Sequence, residues 1–245
     1  MEQKQRLIIT IAGLIFITAC NLATVTPTPQ TVLSSPTAPT PTPPLPATAT
    51  QTLTSTPFPK YFTEEFNSDL APWEFFQTGG ANTATVNLEN SLFEIHITAP
   101  HTWYYAIHSA NEYSTVNISA KVDGNTDGSI GLLCYYSESK GWYEFNISSD
   151  RTYSVLFGQW LAGGIAKYTP LKNNSSGSLE AGRITYEIGL TCQEKVLILY
   201  INGNPFGKVD VTRYGLTEGK VGITASSFEE IPMTVFFDWV KVGEK

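Results

Sequence analysis

Short segments in which apolar and polar residues alternate recur along Tyr61–Lys245, and they limit the possible folds more than any other feature of the sequence. Arg183–Cys192 shows the pattern most clearly, because every second residue is apolar, as on the buried side of a strand. Val196–Ile201 is apolar on both sides, and the Asn202-Gly203 pair that follows is a strong hairpin signal. No segment has a convincing helical pattern. The sequence therefore predicts an all-β fold, a two-sheet antiparallel β-sandwich.

Further candidate strands are separated by Gly, Asn, Asp and Ser. They are Thr83–Glu89, Leu92–Thr98, Trp103–Ser109, Tyr113–Val122, Ser129–Tyr136, Trp142–Ser148, Thr152–Phe157, Lys220–Ser226 and Met233–Val242. No repeat of fixed period is present, which disfavours a propeller or a solenoid.

The first residues have the pattern of an export signal. Lys4 and Arg6 precede the apolar run Leu7–Ala19, which is too short to span a bilayer comfortably. The run ends at Ile17-Thr18-Ala19-Cys20, which resembles the bacterial lipobox. We interpret residues 1–19 as a lipoprotein signal peptide and Cys20 as the lipidation site, which predicts anchoring at the extracytoplasmic face of a bacterial membrane. An uncleaved anchor helix and an ordinary signal peptide are the alternatives.

Composition changes abruptly after this signal. Asn21–Lys60 holds 10 of the 15 prolines and 12 threonines, with no glycine and no acidic residue. Such a segment buries too little apolar area to offset the entropy of ordering. We therefore interpret residues 20–60 as a disordered Thr/Pro-rich linker, either O-glycosylated or unmodified, and residues 61–245 as the folded domain.

The charge balance excludes one class of partner. The chain has 15 Lys and Arg residues against 22 Asp and Glu residues and a net charge of -7. No basic surface is available to neutralise a phosphate backbone, so we expect no nucleic-acid partner. We also expect a monomeric protein.

Five stretches resemble a known superfamily. They are Glu64–Phe66 with Trp73, Gly131–Val155, Leu190–Val209, Gly219–Ser226 and Val235–Val242. They resemble the concanavalin A-like lectin/glucanase superfamily, closest to laminin-G-like and 3-keto-disaccharide hydrolase-type jelly rolls. The resemblance implies a jelly-roll β-sandwich, and it specifies the fold far better than the activity.

Two cysteines remain in the domain if Cys20 is lipidated. Cys134 and Cys192 form an even pair in an oxidising compartment, each in phase with apolar neighbours. The pair favours a disulfide over two buried thiols.

Asp123–Gly128 matches the first half of a calcium-binding loop, with Asp123, Asn125 and Asp127 as candidate ligands. Cys134 stands where the loop needs a bidentate glutamate, so we favour a hairpin turn and keep calcium as the alternative cofactor.

Glycoside hydrolysis needs two carboxylates facing one cleft. The E-x-D-x-x-E strand motif of family 16 glucanases has no counterpart here, and Glu144 is the only acid set among outward aromatic residues. His96, His101 and His108 fall in no metal or base motif. We therefore expect no catalytic site and no resident metal.

Sugar binding has better chemical support. If Tyr143, Phe145 and Ile147 point inward, the alternation of a strand turns their neighbours outward. The predicted ligand-binding residues are Tyr135, Trp142, Glu144, Asn146 and Trp160, with Trp103–Tyr105 at the rim. Aromatic faces stack on pyranose rings, and amide and carboxylate groups bond to hydroxyls. Ordinary surface and core residues are the alternative interpretation.

These observations lead to three hypotheses. The leading one is a lipid-anchored surface protein whose sandwich binds carbohydrate or another cell-surface ligand without catalysis. The alternative is a glycoside-processing enzyme of the 3-keto-disaccharide hydrolase type, which the resemblance alone implies. The third is a purely structural envelope module.

Overall fold

The computed structural model describes residues 57–125, 127–182 and 184–245, with only the backbone of Asn125. The predicted signal peptide, Cys20 and the linker up to residue 56 lie outside the described residues. The described residues form 15 β-strands and no helix, so no described helix is long and apolar enough to cross a membrane.

The strands follow one another along the whole domain. In chain order they are β1 (Phe62–Glu64), β2 (Trp73–Gly79), β3 (Thr85–Glu89), β4 (Leu92–Ile97), β5 (Thr102–Tyr113), β6 (Val116–Asn125), β7 (Gly128–Ser137), β8 (Gly141–Ser148), β9 (Thr152–Leu161), β10 (Ile165–Ser175), β11 (Tyr186–Gln193), β12 (Val196–Ile201), β13 (Asn204–Asp210), β14 (Gly219–Ser227) and β15 (Met233–Gly243).

The strands form two antiparallel sheets. The eight-stranded sheet has the order β13-β12-β11-β6-β15-β4-β3, with β1 paired to β15, and the seven-stranded sheet has the order β10-β9-β8-β7-β14-β5-β2. Alternating apolar side chains of both sheets fill the core between them. A disulfide joins Cys134 of β7 to Cys192 of β11, with the two Cα atoms 6.5 Å apart. The predicted disulfide is therefore present, and it links the two sheets.

The structure confirms the two-sheet sandwich and a strand at each candidate segment. The Asn202-Gly203 turn joins β12 to β13, and both of its residues have positive φ angles, 50° and 74°. Strands β1, β2, β10 and β13 were not predicted. The hairpin interpretation of Asp123–Gly128 is wrong, because β6 and β7 lie in different sheets and the segment crosses between them.

The seven-stranded sheet curls over its own outer face. Its edge strands β2 and β10 are six strand spacings apart, which is roughly 29 Å in a flat sheet. Nevertheless, Thr78 Oγ1 of β2 and Tyr168 OH of β10 are 2.7 Å apart and hydrogen-bonded. The two edges therefore meet over the outer face. We call this outer face the closed face, the outer face of the eight-stranded sheet the open face, and the Thr78–Tyr168 hydrogen bond the bridge.

Candidate functional site

Glu144 lies at the centre of the closed face. It belongs to β8, which has β7 on one side and β9 on the other, and both sides of this strand are buried. Phe145 turns into the core between the sheets, so the alternation places Glu144 on the opposite side with Trp142 and Asn146. The Glu144 residue is 1% exposed. The fold has therefore removed a carboxylate from water on what would be the outer surface of a flat sheet.

Three neutral donors hold the Glu144 carboxylate. Trp142 Nε1 and Tyr105 OH each donate to Oε2 at 3.0 Å, and Asn146 Nδ2 donates to Oε1 at 2.8 Å. Burial raises the pKa of Glu144, and the hydrogen bonds from Trp142, Asn146 and Tyr105 oppose that rise. The carboxylate is thus fixed in orientation by groups that favour its ionised form.

A chain of hydroxyl groups leads from Glu144 to the far edge of the sheet. Tyr105 OH lies 3.0 Å from Tyr168 OH, and Tyr168 OH forms the bridge with Thr78. Burial, with the nearby charge of Glu144, holds the pKa of Tyr105 well above its usual value. Burial likewise raises the pKa of Tyr168 to about 12. Both phenols therefore stay protonated at neutral pH and act as hydrogen-bond donors.

Aromatic rings surround the carboxylate. Trp142 is fully buried, and its ring lies 5.4 Å from that of Trp160 and 5.7 Å from those of Tyr105 and Tyr136. These residues belong to a hydrophobic cluster separate from the main core. Gly158 on β9 makes room for the indole, because a Cβ at that position would overlap the ring of Trp142.

A depression of about 490 Å³ opens beside this cluster. Its lining residues are Glu74, Phe75, Phe76, Ile107, Tyr136, Glu138, Trp160 and Gly164. Burial raises the pKa of Tyr136, and the charges of Glu138 and Glu74 add to that rise. The indole of Trp142 contacts Tyr136 and Trp160 of this lining and donates a hydrogen bond to Glu144. Two further carboxylates therefore lie at the mouth of the closed face.

Four of the five predicted ligand-binding residues lie on this face, but they do not form an open platform. Trp142, Glu144 and Asn146 share one side of β8, as the alternation predicted, and Trp160 of β9 packs against Trp142. Trp142 and Asn146 are 0% and 3% exposed, and rings of both edge strands, Phe76 and Tyr168, lie against Trp142. The prediction of a solvent-exposed platform is therefore wrong.

Tyr135 is on the other side of the sheet. The β7–β8 pairing shifts register between Cys134 and Ser137, and Tyr135 in this bulge has a φ of 57°. Its ring is buried in the main core, and its hydroxyl donates to the Ser114 carbonyl at 2.6 Å. The bulge thus places Tyr136, not Tyr135, on the closed face, and the prediction that Tyr135 joins the binding residues is wrong.

The carboxylates of the candidate calcium loop have protein partners. Asp123 Oδ2 accepts a hydrogen bond from Thr185 Oγ1 at 2.8 Å, and Asp127 Oδ2 accepts one from the Glu230 N–H at 3.3 Å. The side chain of Asn125 lies outside the described residues. Among those that are described, no three His, Cys, Asp or Glu side chains are grouped to hold a metal. Calcium binding at this loop stays the alternative interpretation.

Sequence reasoning did not find Tyr105, Tyr168 and Thr78 as partners of one site. They lie on β5, β10 and β2, and only the curl of the sheet brings them together.

One signal in the sequence could have pointed to Glu144. Glu144 and Asn146 have the spacing of the first two members of the family 16 motif, with an amide replacing the second carboxylate.

The two-layer arrangement and its curled seven-stranded sheet define the domain as a concanavalin A-like jelly-roll β-sandwich. No protein-family model matches the chain, and no curated protein matches it.

Solved structures show the same fold. The chain is similar to the β-glucanase of Bacillus licheniformis, with a TM-score of 0.52 and 13% identity over 76% of this chain and 98% of that one. A Bacteroides ovatus family 16 endo-glucanase matches with a TM-score of 0.53 and 11% identity over 74% of this chain and 99% of that one. A Bacillus subtilis protein of unknown function with a galectin-like fold has a TM-score of 0.54 and 13% identity, over 75% of this chain and 94% of that one.

These neighbours correct the leading functional interpretation. The leading prediction, a binding domain without catalysis, is wrong, because many of the matching structures are glycoside hydrolases and glucanases. The prediction that favoured a protein without enzymatic activity is wrong for the same reason. At 11–13% identity the likeness establishes the fold, and the alternative of a glycoside-processing enzyme fits these neighbours better.

Proposed function

We propose that the domain is a glycoside-processing enzyme whose reactive carboxylate is Glu144. One observation carries the proposal: a buried carboxylate on the closed face is held by three neutral donors among aromatic rings. A carboxylate offers about four acceptor positions, so three donors leave capacity for a substrate group. A lone buried acid is costly for stability, which favours a functional reason for its presence.

The chemistry follows from charge. Cleavage of a glycosidic bond passes through a transition state in which the sugar ring carries positive charge. Ionised Glu144 would stabilise that charge, and the fixed donors would keep the carboxylate in place without reorganisation. Protonation of the leaving oxygen needs a second acid, for which Glu74 and Glu138, in the lining of the adjacent depression, are the candidates.

Binding groups are present on the same face. Phe76, Tyr136 and Trp160 line the depression, and aromatic faces pack against the C–H faces of pyranose rings. Asn146 Oδ1 and Thr224 Oγ1, on either side of Gly131 in one row of the sheet, are buried and have no hydrogen-bond partner among the described residues. Buried polar atoms of this kind are available to the hydroxyl groups of a sugar.

The test compares Glu144→Gln with Glu187→Gln, a matched change on the open face. Turnover is measured as reducing ends released from β-glucans and as product from chromogenic and 3-keto glycosides. We expect the wild type to turn over a member of the panel, Glu144→Gln to lower kcat by about hundredfold or more, and Glu187→Gln to leave it unchanged. Circular dichroism checks that both variants fold. Full activity in folded Glu144→Gln contradicts the assignment of Glu144, and a wild type inactive on every substrate contradicts the enzyme.

The second acid is identified in the same assay. Glu138→Gln and Glu74→Gln are measured with a substrate whose leaving group needs protonation and with one whose leaving group does not. The variant of the true acid loses activity on the first substrate and keeps it on the second. If both variants retain the activity of the wild type with both substrates, neither residue is the second acid.

We further propose that this enzyme works at the extracytoplasmic face of a bacterial membrane, anchored through lipidated Cys20. Two or three acyl chains hold a protein stably at a bilayer, whereas one holds it marginally. Cys20→Ala is expected to move the protein from the membrane fraction to the soluble fraction. A variant that stays with the membrane contradicts the anchor.

A further inference from the structure

The edges of the seven-stranded sheet meet at more than one place. Besides the bridge, the ring of Tyr168 stacks on Trp103, with ring centres 5.5 Å apart and planes at 23°. Phe76 of edge strand β2 also lies 5.3 Å from Trp160 of β9. The closed face is therefore covered along β2 from Thr78 to Phe76.

The depression lies at the other end of these strands. Glu74 of β2 is exposed, and it forms an ion pair with Lys220 at 3.4 Å at the surface. Together with Tyr136, Glu138 and Trp160 it lines the depression of about 490 Å³. Pockets for small ligands occupy about 300–1,000 Å³, so the space suits a short oligosaccharide. Trp160 of this lining contacts the indole of Trp142, and that indole donates a hydrogen bond to Glu144.

The covered stretch restricts the form of the substrate. An internal stretch of a long chain needs an exit at both sides of the reacting bond, whereas a chain end needs only one. The bridge and the Trp103–Tyr168 stack occupy the side away from the depression. We propose that the closed face accepts the end of a glycan chain or a small glycoside, and does not accept an internal stretch of a polysaccharide. This inference rests on the proposed function.

The experiment measures binding with Glu144→Gln, which leaves the ligand intact. The probes are a linear β-glucan oligosaccharide and a cyclic β-glucan with the same linkages, which has no chain end. Titration calorimetry is expected to show binding of the linear probe and at least about tenfold weaker binding of the cyclic one. Equal affinity for both probes, or no binding of the linear probe, overturns the inference.

Three variants locate the effect in the same Glu144→Gln background. Trp160→Ala is expected to weaken binding of the linear probe by about tenfold, while Trp239→Ala on the open face leaves it unchanged. Thr78→Val removes the bridge and keeps the side-chain shape, so it is expected to strengthen binding of the cyclic probe by about fivefold. An unchanged affinity in both Trp160→Ala and Thr78→Val overturns the inference. If Trp160→Ala fails to fold, Thr78→Val and the two probes still test the preference for chain ends.

The outcome separates this inference from the proposed function. Turnover of β-glucans by the wild type with equal binding of linear and cyclic probes leaves the enzyme standing and removes the preference for chain ends. Selective binding of the linear probe with no turnover of any substrate supports the geometry of the closed face and contradicts the enzyme.

Discussion

The two outer faces of this sandwich differ in what covers them. On the closed face, the edge strands β2 and β10 meet, and Trp142, Tyr105 and Glu144 are almost completely buried. On the open face, Trp239 and Tyr200 are only partly buried, and polar side chains line shallow depressions between them.

The same polar groups acquire different properties on the two faces. Asp238 on the open face is 43% exposed and pairs with Lys121 at 2.7 Å, where water screens the interaction. Glu144 on the closed face is surrounded by neutral donors and aromatic rings, and burial raises its pKa. The comparison shows that the curl of a sheet, more than residue type, decides whether an outward carboxylate is exposed to water or is buried and has a raised pKa.

The largest expected difference between the faces concerns tryptophan. Trp142→Ala should lower the free energy of unfolding by about 4 kcal/mol, because it leaves a cavity and removes a donor to Glu144. Trp239→Ala should cost under about 1 kcal/mol, because the ring is partly in water. Urea unfolding measures both. Similar costs for the two variants contradict the contrast between the faces.

A glycine on each face gives a second comparison. Gly158→Ala should lower the free energy of unfolding by about 2–3 kcal/mol, because the new Cβ overlaps the buried indole of Trp142. Gly189→Ala places its Cβ 3.1 Å from the Cβ of Tyr200, whose side chain is partly exposed, and should cost under about 1 kcal/mol. Thermal unfolding of both variants tests this, and the reverse order contradicts it.

The raised pKa of Glu144 predicts a pH dependence. Between pH 4.5 and the pKa of the folded state, the folded protein binds more protons at this site than the unfolded chain does. The site therefore reduces the stability of the wild type as the pH rises through that window. Glu144→Gln lacks this contribution, so its stability relative to the wild type should increase with pH there. Parallel urea midpoints for the two proteins across that range exclude the effect.

The bridge gives the smallest expected change in stability. Thr78→Val removes one hydrogen bond between the edges and should cost about 1 kcal/mol. Thr185→Val removes the exposed hydrogen bond to Asp123 on the open face and should cost about half of that or less. Hydrogen exchange of the β10 amides should also accelerate in Thr78→Val alone. Unchanged exchange in Thr78→Val excludes a bridge that holds the edge.

Much of the fold was predictable, because alternation reports burial directly. Each candidate strand was found, and so was the link between Cys134 and Cys192, since residues in phase with buried neighbours enter the same core. Strands β2 and β10 were missed. Their exposed and half-buried residues follow no clean alternation, because one side of an edge strand touches the sheet and the other touches water or the bridge.

The candidate site was predictable only in part. Strand alternation correctly grouped Trp142, Glu144 and Asn146 on one side of β8. It failed at Tyr135, because a bulge changes the period locally and no residue pattern marked it.

The sequence by itself determined the class of fold and which residues of β8 share a face, since both depend on the two-residue period of a strand. The tertiary structure alone decided that this face is closed. Thr78 and Tyr168 are 90 residues apart, and their contact depends on the accumulated curl of seven strands. That curl removes Glu144 from water, and no local pattern of residues encodes it.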